Sequence, residues 1–583
     1  MESFEMNNSA IDKDSSHLRR SANYKPNIWK YDFLQSLHNK HEVRFSVAFL
    51  IIDWLCMHLA SLNLMIFSLS LLSWKSEGNA TRAMMLVEDV KQMLIEAVSL
   101  KANLELMDNI MKFGLATLFE KEIKETLEIV AMMEPNDEKS HGDNVFRSFK
   151  DKNGGFVRAK FGDTKGVREL LEAAHFGLGD GTIMEKAKIF SMESLKKICN
   201  NSVNNCGGII EEVPNDNQVV HHALELPLHW RVEWFDARWQ IRFHEKEKSG
   251  DVNCSMVKLA KIHFNAVQAT HQKDLKELSR WWRDLRLVEN LSFTRDRLVE
   301  CFLCAVGLAH EPKHSSFRKA LTKVIIFVLV IDDVYDLYGS LEELQCFTAA
   351  VDRWNLGEMQ HLPECMKLCF QALDDVTNEI AYEIGAEKGW MQVLPHLRKV
   401  WGDFCKSLLV EAKWFSLGYT PSLEEYLENA WVSSSGPLIL THSIFFHAHE
   451  DLDGAKDLLE MNKDLVYNSS LIIRLCNDLG TSEAESNRGD APSSILCYMQ
   501  EENVSEEEAL MHVRGLIVEA WKNINGRSIL AQHSPSLQSL IRLCSNAARV
   551  AHMLYQSGDG FGVQDGDIRQ QILSSLIEPF AMG

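Results

Sequence analysis

Proline and glycine are scarce, at 12 and 31 of 583 residues. Few breakers permit long helices and leave little material for low-complexity linkers. Positive charge is also short. Lys and Arg number 61 against 82 Asp and Glu, so the net charge is −21. A nucleic-acid or anionic-membrane surface needs concentrated positive charge, which argues against either as main partner. A small anionic substrate remains compatible if metal ions or a local Arg cluster compensate it. The 13 cysteines are irregularly spaced. Cys301 and Cys304 form a lone CxxC without a second pair, which argues against a structural zinc site. The thiols read as reduced. GxxxxGK[ST], HExxH, GxSxG and a strand-bound GxGxxG are all missing, which leaves few routes to a nucleotide, zinc-protease or serine-hydrolase reading. There is no run of alternating strands and no repeat of roughly 20–50 residues.

What is present is helical. The length accommodates roughly two to four domains. Residues 1–18 are a polar tail with four acids, Glu2, Glu5, Asp12 and Asp14. No apolar run follows a basic start, so a secretory signal is not expected, and the acids make a poor transit peptide. Phe45–Trp74 is nearly all apolar and long enough to span a bilayer. Asp53, His58 and Asn63 interrupt it, each costly in hydrocarbon. A buried helix, or a stretch foreign to the working protein, are the alternatives. From about Glu88 apolar residues recur at three- and four-residue spacing. Residues 135–163 read as loop, and periodicity dominates again from about Leu226. The fold expected is all-α, with a boundary near 210–228 where GGIIEEVPNDN supplies turn residues.

Three constellations carry chemistry. The first is Asp332-Asp333-Val334-Tyr335-Asp336, which follows the apolar run Val324–Ile331. Asp332 and Asp336 are four apart and share a helix face. Paired carboxylates on a greasy helix are expensive unless a cation joins them. Hard oxygen donors favour Mg²⁺ or Mn²⁺ over zinc. The bland alternative is a solvated acidic helix end. Asp374-Asp375 lacks the third Asp and serves as a decoy. The second constellation is Asn477, Thr481 and Glu485, a stripe of oxygen donors after another apolar run; alone it would read as a polar helix face. Placed after an aspartate-rich motif in an all-α chain, it is a candidate second metal face across a bundle cavity. The third is cationic: Arg295 and Arg297, upstream of Asp332, and Arg474, three before Asn477. Arg suits phosphate oxygens because its fork is planar and bidentate. Surface salt bridges are the alternative for each taken singly.

These motifs resemble those of plant class I terpene synthases. Asp332–Asp336 matches DDxxD, and Asn477, Thr481 and Glu485 match the (N/D)DxxSxxxE-type second motif. Arg295 and Arg297 match RxR. Arg19-Arg20, followed after eight residues by Trp29, match RRx₈W. SRWWRDL (Ser279–Leu285), GYTPSLEEYLENAW (Gly418–Trp431) and GDGFGVQD (Gly558–Asp565) agree. RRx₈W and the closing loop resemble the angiosperm monoterpene branch, with terpineol and linalool synthases as relatives. The resemblance implies an N-terminal relict domain over 19–225, whose leading segment caps the site, and a catalytic helix bundle over 226–583. It implies Mg²⁺ or Mn²⁺, three ions with diphosphate bound, held by Asp332, Asp336, Asn477, Thr481 and Glu485. Arg295, Arg297 and Arg474 would bind diphosphate. Asp332, Asp336, Arg295 and Tyr555 would serve catalysis, and Trp282 and Cys304 would line the substrate. Phe327, Tyr335 and Phe445 are further candidates for aromatic stabilisation of a carbocation, with core packing as the alternative. Ser433–Pro437 is expected to break a helix and bare carbonyls toward the cavity.

The implied activity is ionisation of geranyl diphosphate to a monoterpene, with farnesyl diphosphate as the alternative substrate. A plastid is the implied compartment, cytoplasm the alternative, and a monomer the implied state. Two other classes stand beside it. A chain-elongating prenyltransferase would carry a second Asp-rich motif where Asn477–Glu485 lies. A damaged paralogue would bind metal and diphosphate without turnover, or be tethered through Phe45–Trp74. Three departures from the family pattern stand out. Cys304, seven past Arg297, occupies a place where relatives usually carry Trp. Phe45–Trp74 has no counterpart and reads as translated intron. The stretch after Met133, about 134–145, is short by roughly one helix pair.

Overall fold

The structure, a computed structural model, describes residues 24–38, 77–97, 99–133, 164–177, 183–205, 215–246, 254–448, 450–488, 492–531, 534–564 and 566–582. Arg19-Arg20, Phe45–Trp74, the shortened stretch near 134–145 and the glycines of the 210–228 boundary lie outside them. Every described element is a helix or turn, with no strand among the described residues. The all-α expectation holds. No described helix is long and apolar enough to cross a membrane.

In chain order the N-terminal helices are α1 (Tyr31–Ser36), α2 (Glu77–Glu96), α3 (Leu100–Lys112), α4 (Glu120–Met133), α5 (Thr164–Ala174), α6 (Ile183–Asn205) and α7 (Asn215–Glu225). Helix α5 shows how pattern becomes packing. Val167, Leu170, Leu171 and Ala174 fall on one stripe at helical spacing. That stripe meets Ala187, Leu195 and Val220 in a small core of its own. Helix α2 instead buries Ala83, Val87 and Val90 in the main core.

The larger bundle comprises α8 (Glu233–Lys246), α9 (Cys254–Leu285), α10 (Leu298–Leu308), α11 (Ser315–Asp333), α12 (Leu341–Arg353), α13 (Glu364–Lys388), α14 (Leu394–Leu417), α15 (Leu423–Ser433), α16 (Gly436–His447), α17 (Leu452–Met461), α18 (Lys463–Arg488), α19 (Ser494–Glu502), α20 (Glu506–Leu530), α21 (Pro535–Tyr555) and α22 (Asp567–Ile572). Helix α18 packs against α15, α16, α20 and α21, and α10 against α11 and α21. A helix surrounded on several sides loses its polar face, and every residue of α10 is buried.

Two irregularities aim the site. Helix α11 passes into a π turn, Val334–Tyr338, closed by Gly339 N–H on the Val334 carbonyl at 2.8 Å. Such wide turns concentrate at functional sites. Asp332, just before it, is half-buried, and Asp336, within it, is exposed. The second lies between α15 and α16. Ser435 takes the left-handed conformation at φ 64°, and Pro437 occupies the first turn of α16. A non-glycine residue in that region stores strain of about 1–3 kcal/mol. The helix break expected at Ser433–Pro437 is therefore real.

The chain ends by threading back through the bundle. Gln268 and Gln272 on α9 donate to carbonyls of the final turn, including Ser575 at 3.1 Å and Leu576 at 2.9 Å. Asn265 Nδ2 donates to the Phe580 carbonyl at 2.9 Å. These side chains satisfy carbonyls that a helix terminus leaves open.

Candidate active site

The short stretch before α10 brings the Arg pair to the end of α11. The Arg295 backbone N–H donates to Asp333 Oδ2 at 2.8 Å, and its Nε–H donates to Asp333 Oδ1 at 3.0 Å. Its terminal nitrogen contacts Asp332 Oδ2 and, at 2.9 Å, Asp333 Oδ1. Tyr24 approaches from the N-terminal segment and donates its hydroxyl to Asp333 Oδ1 at 3.1 Å. The guanidinium also stands over the Tyr24 ring, 5.1 Å from its centroid. Burial opposes the charge on Arg295, but Asp333, Tyr24 and Asp332 outweigh it and raise its pKa well above the usual value. Burial raises the Asp333 pKa against the pull of Arg295. The cation is thus firmly charged beside the Asp332–Asp333 pair.

Arg297 is placed differently. It is 2% exposed, and its donors reach the carbonyls of Phe561 (2.5 Å), Asp296 (2.9 Å) and Lys25 (3.4 Å). The structure ties it to the N-terminal segment and to the loop after α21. Trp282 on α9 donates its indole N–H to Asp296 Oδ1 at 2.9 Å, which seats it beside the Arg pair.

The second face lies on α18. Arg474 Nη2 donates to Ser433 Oγ at 3.0 Å, its Nη1 to Asn477 Oδ1 at 3.4 Å, and Asp478 lies 3.8 Å away. Thr481 is buried, and its hydroxyl donates to the Asn477 carbonyl at 2.8 Å. Glu485 lies on α18, with its side chain outside the description. Asp478 points away from this stripe. It accepts from the Tyr426 hydroxyl at 3.0 Å and from Ser494 N–H at 3.0 Å, so it joins α15, α18 and α19.

The two faces converge through shared neighbours. Tyr555, at the end of α21, lies within electrostatic reach of Asp559, Arg295, Cys304 and Asp332, and burial raises its pKa. On its other side a Cβ at Gly480 would stand 2.9 Å from the Tyr555 carbonyl oxygen and 3.1 Å from that of Gly558. The absent side chain lets α18 press against the loop that carries Asp559. Glu411 on α14 feels both Asp332 and Asp478. It accepts from Ser433 Oγ, from Asn429 Nδ2 at 3.1 Å, and faces Arg474 at 3.9 Å. Burial raises the Glu411 pKa, against the attraction of Arg474.

Cys304 is 3% exposed, and its Sγ–H donates to the Glu300 carbonyl at 3.1 Å. Burial raises its pKa, so it is an inert, compact core residue rather than a nucleophile. Among the other aromatics, Tyr335 hydrogen-bonds Thr348 at 2.6 Å, Phe445 sits edge-on to Trp390 and His396, and Phe327 is fully buried. These three are core residues by their contacts. The decoy Asp374 is paired to Arg398 at 3.0 Å.

Spacing alone missed several members. Asp333 is quoted within its motif, yet its grip on Arg295 needs the fold. Glu300 carries a detectable signal, a lone acid inside the apolar run LVECFLCAVGL. Glu411 carries another, falling three after Leu408 and seven after Phe404 on a buried stripe. Tyr24 carries none.

The donor set fits a hard divalent cation. Asp332 and Asp336 offer carboxylates, and Asn477 and Thr481 offer neutral oxygens, with no thiolate or imidazole among them. Among the described residues no three His, Cys, Asp or Glu side chains cluster.

Comparison with known proteins agrees with this chemistry. Residues 283–523 match the terpene synthase family, metal binding domain. The chain is 48% identical over 587 residues to the alpha-farnesene synthase of Ricinus communis, covering 97% of this chain and 96% of that one. It is 47% identical to the (E,E)-alpha-farnesene synthase of Malus domestica, covering 96% and 94%. It is 41% identical to the chloroplastic alpha-thujene synthase of Litsea cubeba, covering 96% and 92%. Among solved structures, limonene synthase with 2-fluorolinalyl diphosphate superposes with a TM-score of 0.83 at 35% identity, covering 97% of this chain and 100% of that one. Isoprene synthase from grey poplar, in complex with three Mg²⁺ ions and dimethylallyl-S-thiolodiphosphate, gives 0.76 at 35% identity, covering 86% and 98%. With identities of this size over nearly the whole length, and with the Arg and Asp motifs gathered around one site, this chain belongs to the plant class I terpene synthases, lyases that act on prenyl diphosphates.

Proposed function

We propose that this synthase ionises farnesyl diphosphate and releases a sesquiterpene, with geranyl diphosphate as second substrate. The observation that carries the reading is the gathering of Arg295, Asp332 and Tyr555 at one mouth, with Gly480 of the second motif against Tyr555. The choice of the longer substrate rests on two supports. Both farnesene synthases are nearer in identity than the thujene synthase. Cys304 is also a smaller side chain than the Trp that the family resemblance implies at this place. The geranyl reading, first suggested by RRx₈W, retains support from the thujene synthase and from the limonene synthase fold match.

Asp332 and Asp336 would hold metal on one side, and Asn477, Thr481 and Glu485 on the other. Three Mg²⁺ ions, as in the isoprene synthase complex, are the proposed complement. When bound, the metal supplies Lewis-acid neutralisation of the leaving diphosphate. Arg295 and Arg474 add fixed positive charge toward the same oxygens. Arg297 acts on diphosphate at longer range, because its donors already hold backbone carbonyls. Trp282 and Cys304 would line the chain of the substrate. The Tyr555 ring borders the position where the allylic cation forms, and its face can stabilise that charge. The N-terminal segment and the 558–566 loop exclude water from it. For the compartment, cytoplasm follows the farnesyl reading and a plastid the geranyl one, in line with the chloroplastic name of the thujene synthase. The protomer is proposed to act as a monomer.

The test is product analysis by gas chromatography of purified protein with Mg²⁺, given farnesyl or geranyl diphosphate separately. An EDTA arm and an Asp332→Asn arm run beside it. Fifteen-carbon volatiles lost in both controls support the reading. Ten-carbon products alone replace it with the monoterpene alternative. No product from folded protein removes catalysis and leaves the impaired paralogue.

A further inference from the structure

Helix α10 contains one acid, Glu300, whose relative exposure is 0%. Its Oε1 accepts two hydrogen bonds from opposite ends of the chain. The Trp29 indole N–H donates at 3.0 Å, and Gln564 Nε2 donates at 2.8 Å. Trp29 belongs to the segment leading into α1, which also carries Tyr24 to Asp333. Gln564 belongs to the loop between α21 and α22, which begins at Gly558 with φ 121° and ends at Gly566 with φ 81°. The two segments touch each other as well. Ile28 N–H donates to Gln564 Oε1 at 3.2 Å, and Gln564 Nε2 reaches Asn27 Oδ1 at 3.3 Å. One turn earlier, Arg297 holds the carbonyls of Lys25 and Phe561. Glu300 Oε2 is buried and has no hydrogen-bond partner among the described residues.

A buried carboxyl with half its acceptors unused is costly for folding alone. An apolar residue would fit the rest of α10, which is apolar throughout apart from this acid and one glycine. A role that needs an acceptor at this one point explains the acid. We propose that Glu300 is a positioning residue that latches the 24–30 segment and the 558–564 loop to one oxygen, so that they cover the site as a single lid. Because both donors share Oε1, loosening one segment shifts the acceptor and frees the other. The consequence for the reaction is selectivity. With the lid closed, the carbocation loses a C–H proton to the released diphosphate and gives a hydrocarbon, whereas an open lid admits water, which adds to the cation, passes its proton to the same diphosphate and gives an alcohol. This consequence rests on the terpene synthase reading above; the latch itself does not.

Hydrogen exchange by mass spectrometry on the full ligand-free chain tests the latch. Trp29→Phe removes only the indole N–H and keeps ring packing. It is expected to raise exchange in 558–564 as well as in 24–30. Glu300→Leu should loosen both segments. Glu300→Gln keeps an oxygen at the same place and should retain protection in both. With substrate, the ratio of alcohol to hydrocarbon should rise several-fold in Trp29→Phe and Glu300→Leu and stay near wild type in Glu300→Gln. Exchange that rises only in the mutated segment of Trp29→Phe overturns the latch. So does protection that survives Glu300→Leu. If wild type makes no product from either diphosphate, the functional reading falls while the exchange result still decides the latch.

Discussion

Asp333 accepts both the backbone N–H and the Nε–H of Arg295, at 2.8 and 3.0 Å, and so holds the residue by its main chain and its guanidinium together. The neighbouring Asp332 touches the outer nitrogen of the same group. Two adjacent aspartates thus have separate duties. The buried one fixes the cation, and the more exposed one faces the site.

That division sets the first expectation. Asp332→Asn removes one charge from the site yet leaves Arg295 on Asp333. Turnover should fall about a hundredfold or more, the order found when a transition-state electrostatic partner is lost. The melting temperature should stay near that of wild type. Asp333→Asn should instead lower both, because it strands a buried cation. Calorimetry beside single-turnover rates separates the two.

Glu411 is expected to matter although it lies outside every motif. It collects Ser433, Asn429 and Arg474 at the helix break. Glu411→Ala should destabilise by about 3 kcal/mol, as removal of one partner of a buried pair does. Glu411→Gln keeps the hydroxyl and amide contacts. It should recover most of the stability while leaving Arg474 misdirected, seen as a raised KM for the diphosphate.

Gly480→Ala places a methyl group 2.9 Å from the Tyr555 carbonyl and 3.0 Å from its Cβ. Backbone cannot yield as a flexible side chain would. The expected cost is about 1–3 kcal/mol in a thermal melt. Product formation should drop further than stability, because the displaced loop carries the Glu300 contact of Gln564. Activity retained at wild-type level would show that the loop tolerates the shift.

Cys304→Trp is expected to exchange the preferred substrate. The bulkier ring pushes the neighbours of Cys304 aside near Tyr555 and so shortens the room for a fifteen-carbon chain. The ratio of kcat/KM for geranyl over farnesyl diphosphate should rise at least about tenfold, the scale of a few methylenes in an apolar pocket. An unchanged ratio would place selectivity elsewhere.

Acid should weaken the seam between α5, α20 and α21. Burial pushes His552 down to about 3, His229 to about 3 and His175 to about 4. Trp521 donates its indole N–H to His552 Nε2 at 3.0 Å, so that nitrogen is an acceptor and cannot take a proton without losing the bond. The unfolded chain binds these protons near pH 6.5, and the folded one only below about 4. Stability is therefore full above pH 6.5 and lost as pH falls toward 4. Melting temperatures across that window should decline, and His552→Gln should flatten the decline.

The sequence by itself determined the fold class and the identity of the motifs. Apolar spacing of three and four has one physical solution, a buried helix face, and α5 follows it. Asp332, Asp336, Asn477 and Thr481 stood out as candidates because paired oxygen donors after apolar runs are expensive without a cation. Only the tertiary structure decided how the motif residues divide their work. The π turn at Val334–Tyr338 depends on a backbone bond at Gly339, not on a side-chain pattern. Arg297 reads as a phosphate ligand by residue type and family resemblance, yet its donors hold the carbonyls of Lys25 and Phe561. Glu300, Gln564 and Trp29 lie hundreds of positions apart in the chain, and no local period encodes a contact that forms only when both ends of the chain meet over one helix.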